Sequence, residues 1–390
     1  AQQAGESAYA GAPSDLALCL FLLGRACLRG SNAEAALTHL AEAERRFADL
    51  AAGGSADAAR MTSVCLTERA NAMCDLGQLD EAAQSYETAI HIAKERGDRR
   101  HVAVCMVQLG KVRSLQGLYP EALAAYDAAR RSFTKFSETQ MVGNAWHEIG
   151  ILHWKFGAYS AAEDAHQQSL AIKVRCGDRA GEALALAELG NLSVTSGRPE
   201  DAISFYHQAA AIFADPHIAD LANEGRVRNN AAVVLFELGR YDEARTELHR
   251  AVQCKKPFGH AAEPWTTFAI LSQVERAADH EEAAVQAHRQ AAAAYAAYRR
   301  DGGESGRVAA RLYANVAGAI TSGVGKPLAA RLAEMVQTPD LSSDVKATFT
   351  ALAAILAGSR DPALADDPNL EYNDAAELLL LLEQLTAREA

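Results

Sequence analysis

Small and large apolar residues alternate along this chain at helical spacing, and the whole pattern returns about every forty residues. Ala122, Tyr126 and Ala129 stand at i, i+4 and i+7, and the same stripe reappears as Ala36/Leu40/Ala43, Ala82/Tyr86/Ala89, Ala162/His166/Ser169, Ala202/Tyr206/Ala209 and Ala244/Leu248/Ala251. Such a stripe is one face of a helix, with small residues where a second helix must come close. Twelve positions before each of those alanines lies an anchor: Gly24, Ala70, Gly110, Gly150, Gly190 or Ala232. A degenerate unit near Leu271 closes the series. Seven residues after the anchors come Gly77, Gly117, Gly157, Gly197 and Gly239, where a left-handed residue can end one helix and open a turn. Asp80, Pro120, Pro199 and Asp242 follow, at caps or first turns of a second helix. Each unit therefore reads as a helical hairpin. Gly97 and Gly177 can stop the preceding helix, while Asp98 and Asp178 cap the next.

Repetition at a fixed period means that no unit buries its apolar face alone. The "VQLGKVRSLQGLYPEALAAYDAA", "HEIGILHWKFGAYSAAEDAHQQS" and "AELGNLSVTSGRPEDAISFYHQA" segments resemble the tetratricopeptide repeat, with Trp146, Ile149, Gly150, Ala162 and Ser169 in its motif slots. The forty-residue period is similar to the long variant of Leu-Gly-Asn adaptors, kinesin light chains and sensor regions of bacterial signal-transducing ATPases. The resemblance implies an all-α, right-handed superhelical solenoid with a concave inner wall. The expected organisation is a lead-in over 1–15, about seven repeats over 16–300, and a helical capping region over 301–390. Tail helices are expected at about 305–322, 327–337, 342–358 and 373–388, and the apolar cluster Leu378 to Leu382 should be buried.

In that family the first helix of each unit supplies most of the inner wall. Carried onto this chain, the resemblance names Asn71 and Asp75, Lys111 and Ser114, then His147, Ile151, Trp154 and Lys155. It continues with Asn191, with Asn229, Phe236 and Glu237, and with Asn144 and Arg226 six residues before their anchors. Asn can hold an extended peptide by its backbone, Lys and Arg can pair with its carboxylates, and an exposed Trp is a frequent hot-spot residue. The slot three before the anchor holds Thr67, Val107, His147, Ala187 and Asn229, so the carboxylate clamp that grips chaperone tails is absent.

Composition narrows the partners. A formal charge of -12 argues against nucleic acid or an anionic membrane surface, both of which call for clustered cations. No apolar run approaches the roughly 20 residues of a membrane span. The 7 cysteines are odd in number and scattered, the usage of reduced thiols in a cytoplasmic protein. Cys19, Cys65 and Cys105 share one slot, five before their anchors, which alanine fills at Ala145 and Ala185. That is how a small core residue behaves.

Three features invite a catalytic or ligand reading, and each resolves into structure. "HEIGILH" sets His147 and His153 six apart, about 240 degrees around a helix, so one helix cannot offer both to a metal. His153 and His166 fall on mutually facing sides of one hairpin and are expected to form a hydrogen-bonded core pair. "TSGVGKP" lacks the first glycine and the hydroxyl residue of a phosphate loop and reads as a helix-breaking turn. The expectation is a non-enzymatic module without cofactor or metal, binding a protein or peptide segment in its groove. Because the chain starts at Ala1 without Met, it is expected to be the sensor region of a larger bacterial signalling protein. The alternatives are a peptide-regulated effector whose phosphatase- or transcription-regulator-like domain is missing here, and an oligomer scaffold self-associating through the C-terminal helices.

Overall fold

A computed structural model describes residues 11–305 and 307–389, in which eighteen α-helices are joined by short links without a strand among the described residues. The chain divides into two compact units, one ending at Ser196 and the other beginning at Gly197.

The first unit contains α1 (Ala12–Arg29), α2 (Ala33–Ala52), α3 (Ala56–Asp75), α4 (Leu79–Glu95), α5 (Arg99–Leu115), α6 (Tyr119–Lys135), α7 (Thr139–Lys155), α8 (Tyr159–Cys176) and α9 (Arg179–Thr195). Each helix packs on the next, and the first helices of neighbouring hairpins also touch, α1 with α3 and α5 with α7. The chain reversals follow from the residues that make them. Gly77, Gly117 and Gly157 all adopt φ between 74° and 76°, a conformation that costs an L-residue with a side chain energy and costs glycine little. Asp98 Oδ1 accepts the His101 amide at 2.9 Å, and Asp178 Oδ1 accepts the Gly181 amide at 2.9 Å, satisfying donors that the helix itself leaves open.

Inside each hairpin the anchor meets the large residue sixteen positions on. A Cβ placed on Gly24 would lie 2.6 Å from Leu40, and one on Gly110 would lie 2.9 Å from the Tyr126 ring. Tyr86 and Tyr126 are nearly fully buried, each contributing on the order of 2 kcal/mol of apolar burial. Between hairpins, the second helix of one covers the first helix of the next. Ala43 and Phe47 of α2 share a core cluster with Ala58, Cys65 and Ala72 of α3, and Ala89, Ile90 and Ala93 of α4 share one with Cys105 of α5.

The second unit contains α10 (Pro199–Phe213), α11 (Leu221–Glu237), α12 (Tyr241–Lys255), a 3-10 helix (Lys256–Ala262), α13 (Pro264–Ala277) and α14 (Glu281–Arg300). It continues with α15 (Arg307–Thr321), α16 (Gly325–Val336), α17 (Ser343–Leu356), a second 3-10 helix (Pro362–Asp366) and α18 (Tyr372–Glu389). A buried acid ties its hairpin together. The fully buried Glu224 carboxylate receives Arg228 at 2.9 Å and Arg250 at 2.8 and 2.9 Å, while Arg228 also reaches Glu247 at 2.7 Å. Burial raises the Glu224 pKa, but the hydrogen bonds from Arg250 and Arg228 outweigh it and hold the group below its ordinary value.

The last four helices leave the repeat and build their own core. Leu352, Ile355, Leu378, Leu381 and Leu382 are buried in one cluster that also takes in Ala292 and Ala296 of α14. The Leu378 to Leu382 run is thus buried against helices of the same chain. Arg299 on α14 bonds Glu377 on α18 at 2.8 Å, and Arg289 bonds Asp366. "TSGVGKP" is a turn, with Gly323 at φ 74° and α16 starting at Gly325.

Candidate functional site

The first helices of the hairpins present the residues expected to form the inner wall, and the packing described above sets what each can offer. On α7, the apolar face that meets α6 and α8 takes Ala145, Ile149 and Leu152 into the core. Trp146 joins that face with the Arg130 guanidinium 4.6 Å from its ring. The other side of the helix carries Asn144, Ile151, Trp154 and Lys155, and Trp154 is 45% exposed. An indole that open to water is available for contact.

The asparagines expected on that wall are already oriented. Asn71 on α3 donates from Nδ2 to Glu68 at 3.2 Å and accepts the Tyr86 hydroxyl, and Asn191 on α9 donates to Glu188 at 3.1 Å. The same Glu-to-Asn relation therefore stands in two hairpins. Asn144 accepts Lys173 of α8, whose ammonium is buried and also bonds Asp178 at 2.8 Å. Asn144 is accordingly tied to its own hairpin. Lys111 on α5 is exposed, and Ile151 is half-buried.

His147 differs from expectation. The ring facing His166 belongs to His147, with centroids 5.5 Å apart and planes at 69°, and His153 is half-buried with no ring contact to His166. His147 and His153 lie about 60 degrees to either side of Gly150 on the helical wheel, and the His166 ring leans to the His147 flank. The expected His153/His166 pair is therefore replaced by His147/His166. It is not hydrogen-bonded as expected either: His166 Nδ1 is buried without a partner among the described residues. Burial, and then the neighbouring His147, push the His166 pKa down to about 3, which keeps the ring neutral.

In the second unit, α11 places Ala222, Arg226, Asn229 and Asn230 on one face, at i, i+4, i+7 and i+8. Opposite them the 3-10 segment folds over, so that Lys255, Phe258, Ala261, Ala262 and Glu263 complete a pocket of about 350 Å³. Its chemistry is mixed. Asn229 Oδ1 is buried without a hydrogen-bond partner, the Arg226 guanidinium is held by Asn223 at 3.2 and 3.3 Å, and Phe258 is 44% exposed. Burial lowers the Lys255 pKa while Glu263 opposes the shift, and its ammonium reaches Thr266 at 3.3 Å. Glu263 itself adopts φ 46°, ψ 57°, a left-handed conformation that costs a non-glycine residue on the order of 1 kcal/mol. Arg226 and Asn229 were expected on this wall, but Lys255, Asn230, Phe258 and Glu263 were not. For Lys255, Phe258 and Glu263 the signal is the run "KKPFGHAAEP", two prolines bracketing a glycine in an eight-residue link where α2–α3, α4–α5 and α6–α7 have three.

Among the described residues no helix is long and apolar enough to cross a membrane. A tetratricopeptide repeat model matches residues 61–135 and 141–215, and a second one matches residues 226–256. The chain is 29% identical over 187 residues to the regulatory protein AfsR of Streptomyces griseus, a match covering 45% of this chain and 19% of AfsR. It thus spans about a fifth of that relative's length. The apo form of RapI is similar in fold, with TM-score 0.53 at 11% identity over 73% of this chain and 99% of that one. So is BtubC (BKLC) from P. vanneervenii, with TM-score 0.52 at 17% identity over 58% of this chain and 94% of that one. Helical hairpins repeating every forty residues, and matched by both repeat models, identify residues 61–135, 141–215 and 226–256 as tetratricopeptide repeats.

Proposed function

We propose that this chain is a protein- or peptide-binding module, the sensor and interaction region of a larger bacterial signalling protein, and that it holds its partner against the first helices of its hairpins. The observation that carries the reading is the α11 pocket. There a guanidinium, a half-buried ammonium and an unpartnered carboxamide oxygen converge beside an exposed phenyl ring, a set suited to an extended segment with a carboxylate, an amide N–H and an apolar side chain. On the first unit, taken by itself, Lys111, His147, Ile151, Trp154, Lys155 and Asn191 offer polar and aromatic contacts to a bound segment. Similarity to part of a regulatory protein supports the signalling context. The reading is non-enzymatic and calls for no cofactor.

Residues 301–390 act in this reading as the end cap of the array, supported by the core that α18 shares with α14. Selection of a displayed peptide library on the intact chain, beside an Arg226→Ala/Asn229→Ala variant, tests the proposal. The intact chain should enrich a related set of sequences that the variant loses. Equal enrichment by both, or no related set at all, sinks the α11 assignment.

A further inference from the structure

Lys173 and Lys255 are both drawn in from water, and they are treated differently. The Lys173 ammonium is shared between Asp178 at 2.8 Å and Asn144, so its charge is matched where it sits. Lys255 has no such carboxylate. Its Nζ donates to Thr266 Oγ1 at 3.3 Å, and no acid pairs with it among the described residues. The Thr266 hydroxyl already donates to the Glu263 carbonyl at 2.8 Å, so toward the amine it acts as an acceptor. One N–H is thereby held, and the lone pair of the neutral amine is left uncommitted. A half-buried amine without a counter-ion favours that neutral form: burial lowers the Lys255 pKa, and Glu263, acting from farther off, offsets it in part.

A nucleophilic amine matters where a reaction partner can be held against it, and the α11 pocket supplies the grip. The Lys255 stem lies along α11, where a Cβ on Gly225 would stand 3.6 Å from its Cγ. The next residue is Arg226, on the wall of the same cavity of about 350 Å³. Asn223 Oδ1 takes bonds from Nε and Nη2 of Arg226, which fixes the plane of the guanidinium and leaves Nη1 for a ligand. Glu263 lines the cavity from the 3-10 side and can exchange a proton, while Phe258 offers an exposed ring to an apolar substituent. Guanidinium, amine and carboxyl in one small cavity match a 2-oxo carboxylate: the first holds the carboxylate, the second adds to the adjacent carbonyl carbon, and the third moves protons.

We infer that Lys255 is a covalent capture site for small 2-oxo carboxylates, which it binds as an imine in the α11 pocket with their carboxylate on Arg226. Nζ adds to the carbonyl carbon, forming the C–N bond as the C=O π electrons move to oxygen. The carbinolamine then loses that oxygen as water, which carries away both amine hydrogens, and the nitrogen lone pair closes C=N. No oxidant or reductant is consumed, and the bond reverses by hydrolysis. The inference does not rest on the peptide-binding reading, since the reaction requires the pocket and no bound segment.

The test offers glyoxylate to the intact chain at neutral pH, with cyanoborohydride added to reduce the imine to a stable secondary amine, and locates the label by peptide mass mapping. Lys255 should be labelled about tenfold faster than its exposed neighbour Lys256 and than Lys155. Arg226→Met should slow labelling of Lys255 by glyoxylate about tenfold, yet leave labelling by propanal, which has no carboxylate, within about twofold. Oxamate, which keeps the carboxylate beside an unreactive amide carbonyl, should slow labelling by glyoxylate and not by propanal, a measurement that needs no variant. Labelling of Lys255 at the rate of the exposed lysines overturns the inference. So does a fast Lys255 indifferent to both Arg226→Met and oxamate, which would be a reactive amine without a carboxylate site.

Discussion

A Cβ atom on Gly150 would stand 2.6 Å from Nε2 of His166, so the anchor glycine of this hairpin is fixed by the imidazole lying against it. Alanine would favour the helix by up to about 1 kcal/mol through propensity, yet overpacking a rigid ring costs about 1–3 kcal/mol. Gly150→Ala should therefore lower stability in chemical denaturation, and the loss should shrink when His166→Ala makes room. Strictly additive losses in that double-mutant cycle would refute the contact's role.

The same imidazole sets a pH dependence. Its pKa is about 3 in the fold against 6.5 when free, so between those values the unfolded chain binds a proton that the folded chain does not. Stability from this group is present above pH 6.5 and falls with pH, by about 1.4 kcal/mol at pH 5.5. His166→Leu, the residue used at Leu40 and Leu248, should flatten the melting temperature between pH 7 and 5 relative to the unmodified chain. Parallel curves for the two proteins would exclude it.

Glu224 offers an asymmetric test. Glu224→Gln leaves Arg250 and Arg228 with access to water or to Glu247, and should cost about 1–3 kcal/mol. Removing both guanidinium groups, as Arg228→Met/Arg250→Met, strands a fully buried carboxylate and should cost about 3–5 kcal/mol. If urea denaturation ranks the two variants the other way, the carboxylate is not the group that the ion cluster serves.

The two tryptophans of α7 should separate folding from binding. Trp146→Ala removes a packed ring and its contact with Arg130, and should cost about 2–4 kcal/mol. Trp154→Ala should leave the melting temperature within about 2 °C and reduce capture of the peptides selected by the intact chain. Unchanged capture would remove Trp154 from the proposed contact surface.

Deleting residues 367–390 takes away α18, including Glu377, and uncovers Ala292 and Ala296 of α14. Exposure of that face should produce aggregation in size-exclusion chromatography and a less cooperative melt. A truncated chain that melts like the intact one would show that α18 is not the cap of the array.

Much of the fold was legible because its determinants are local. The αL glycines from Gly77 to Gly239, the Asp98 and Asp178 caps, and the alanine stripes all follow from backbone conformation or from 3.6-residue spacing, which the sequence displays directly. The register of the repeat could be carried over residue by residue, but what each side chain is free to do could not. Asn144 is held by Lys173, and Asn71 by Tyr86 and Glu68, through contacts 15 to 29 residues apart as well as within one turn.

By itself, the sequence determined the repeat, its period, the helical hairpins and their ends, since each depends on neighbours within one or two turns of chain. Tertiary structure alone decided that His147 rather than His153 faces His166, that the segment 256–263 closes a pocket over Arg226 and Asn229, and that Glu224 collects two guanidinium groups. It also decided that Cys19, identical in slot to the buried Cys65 and Cys105, is exposed. Identical slots carry identical sequence signals, and only the presence or absence of a covering helix makes one a core residue and the other a surface.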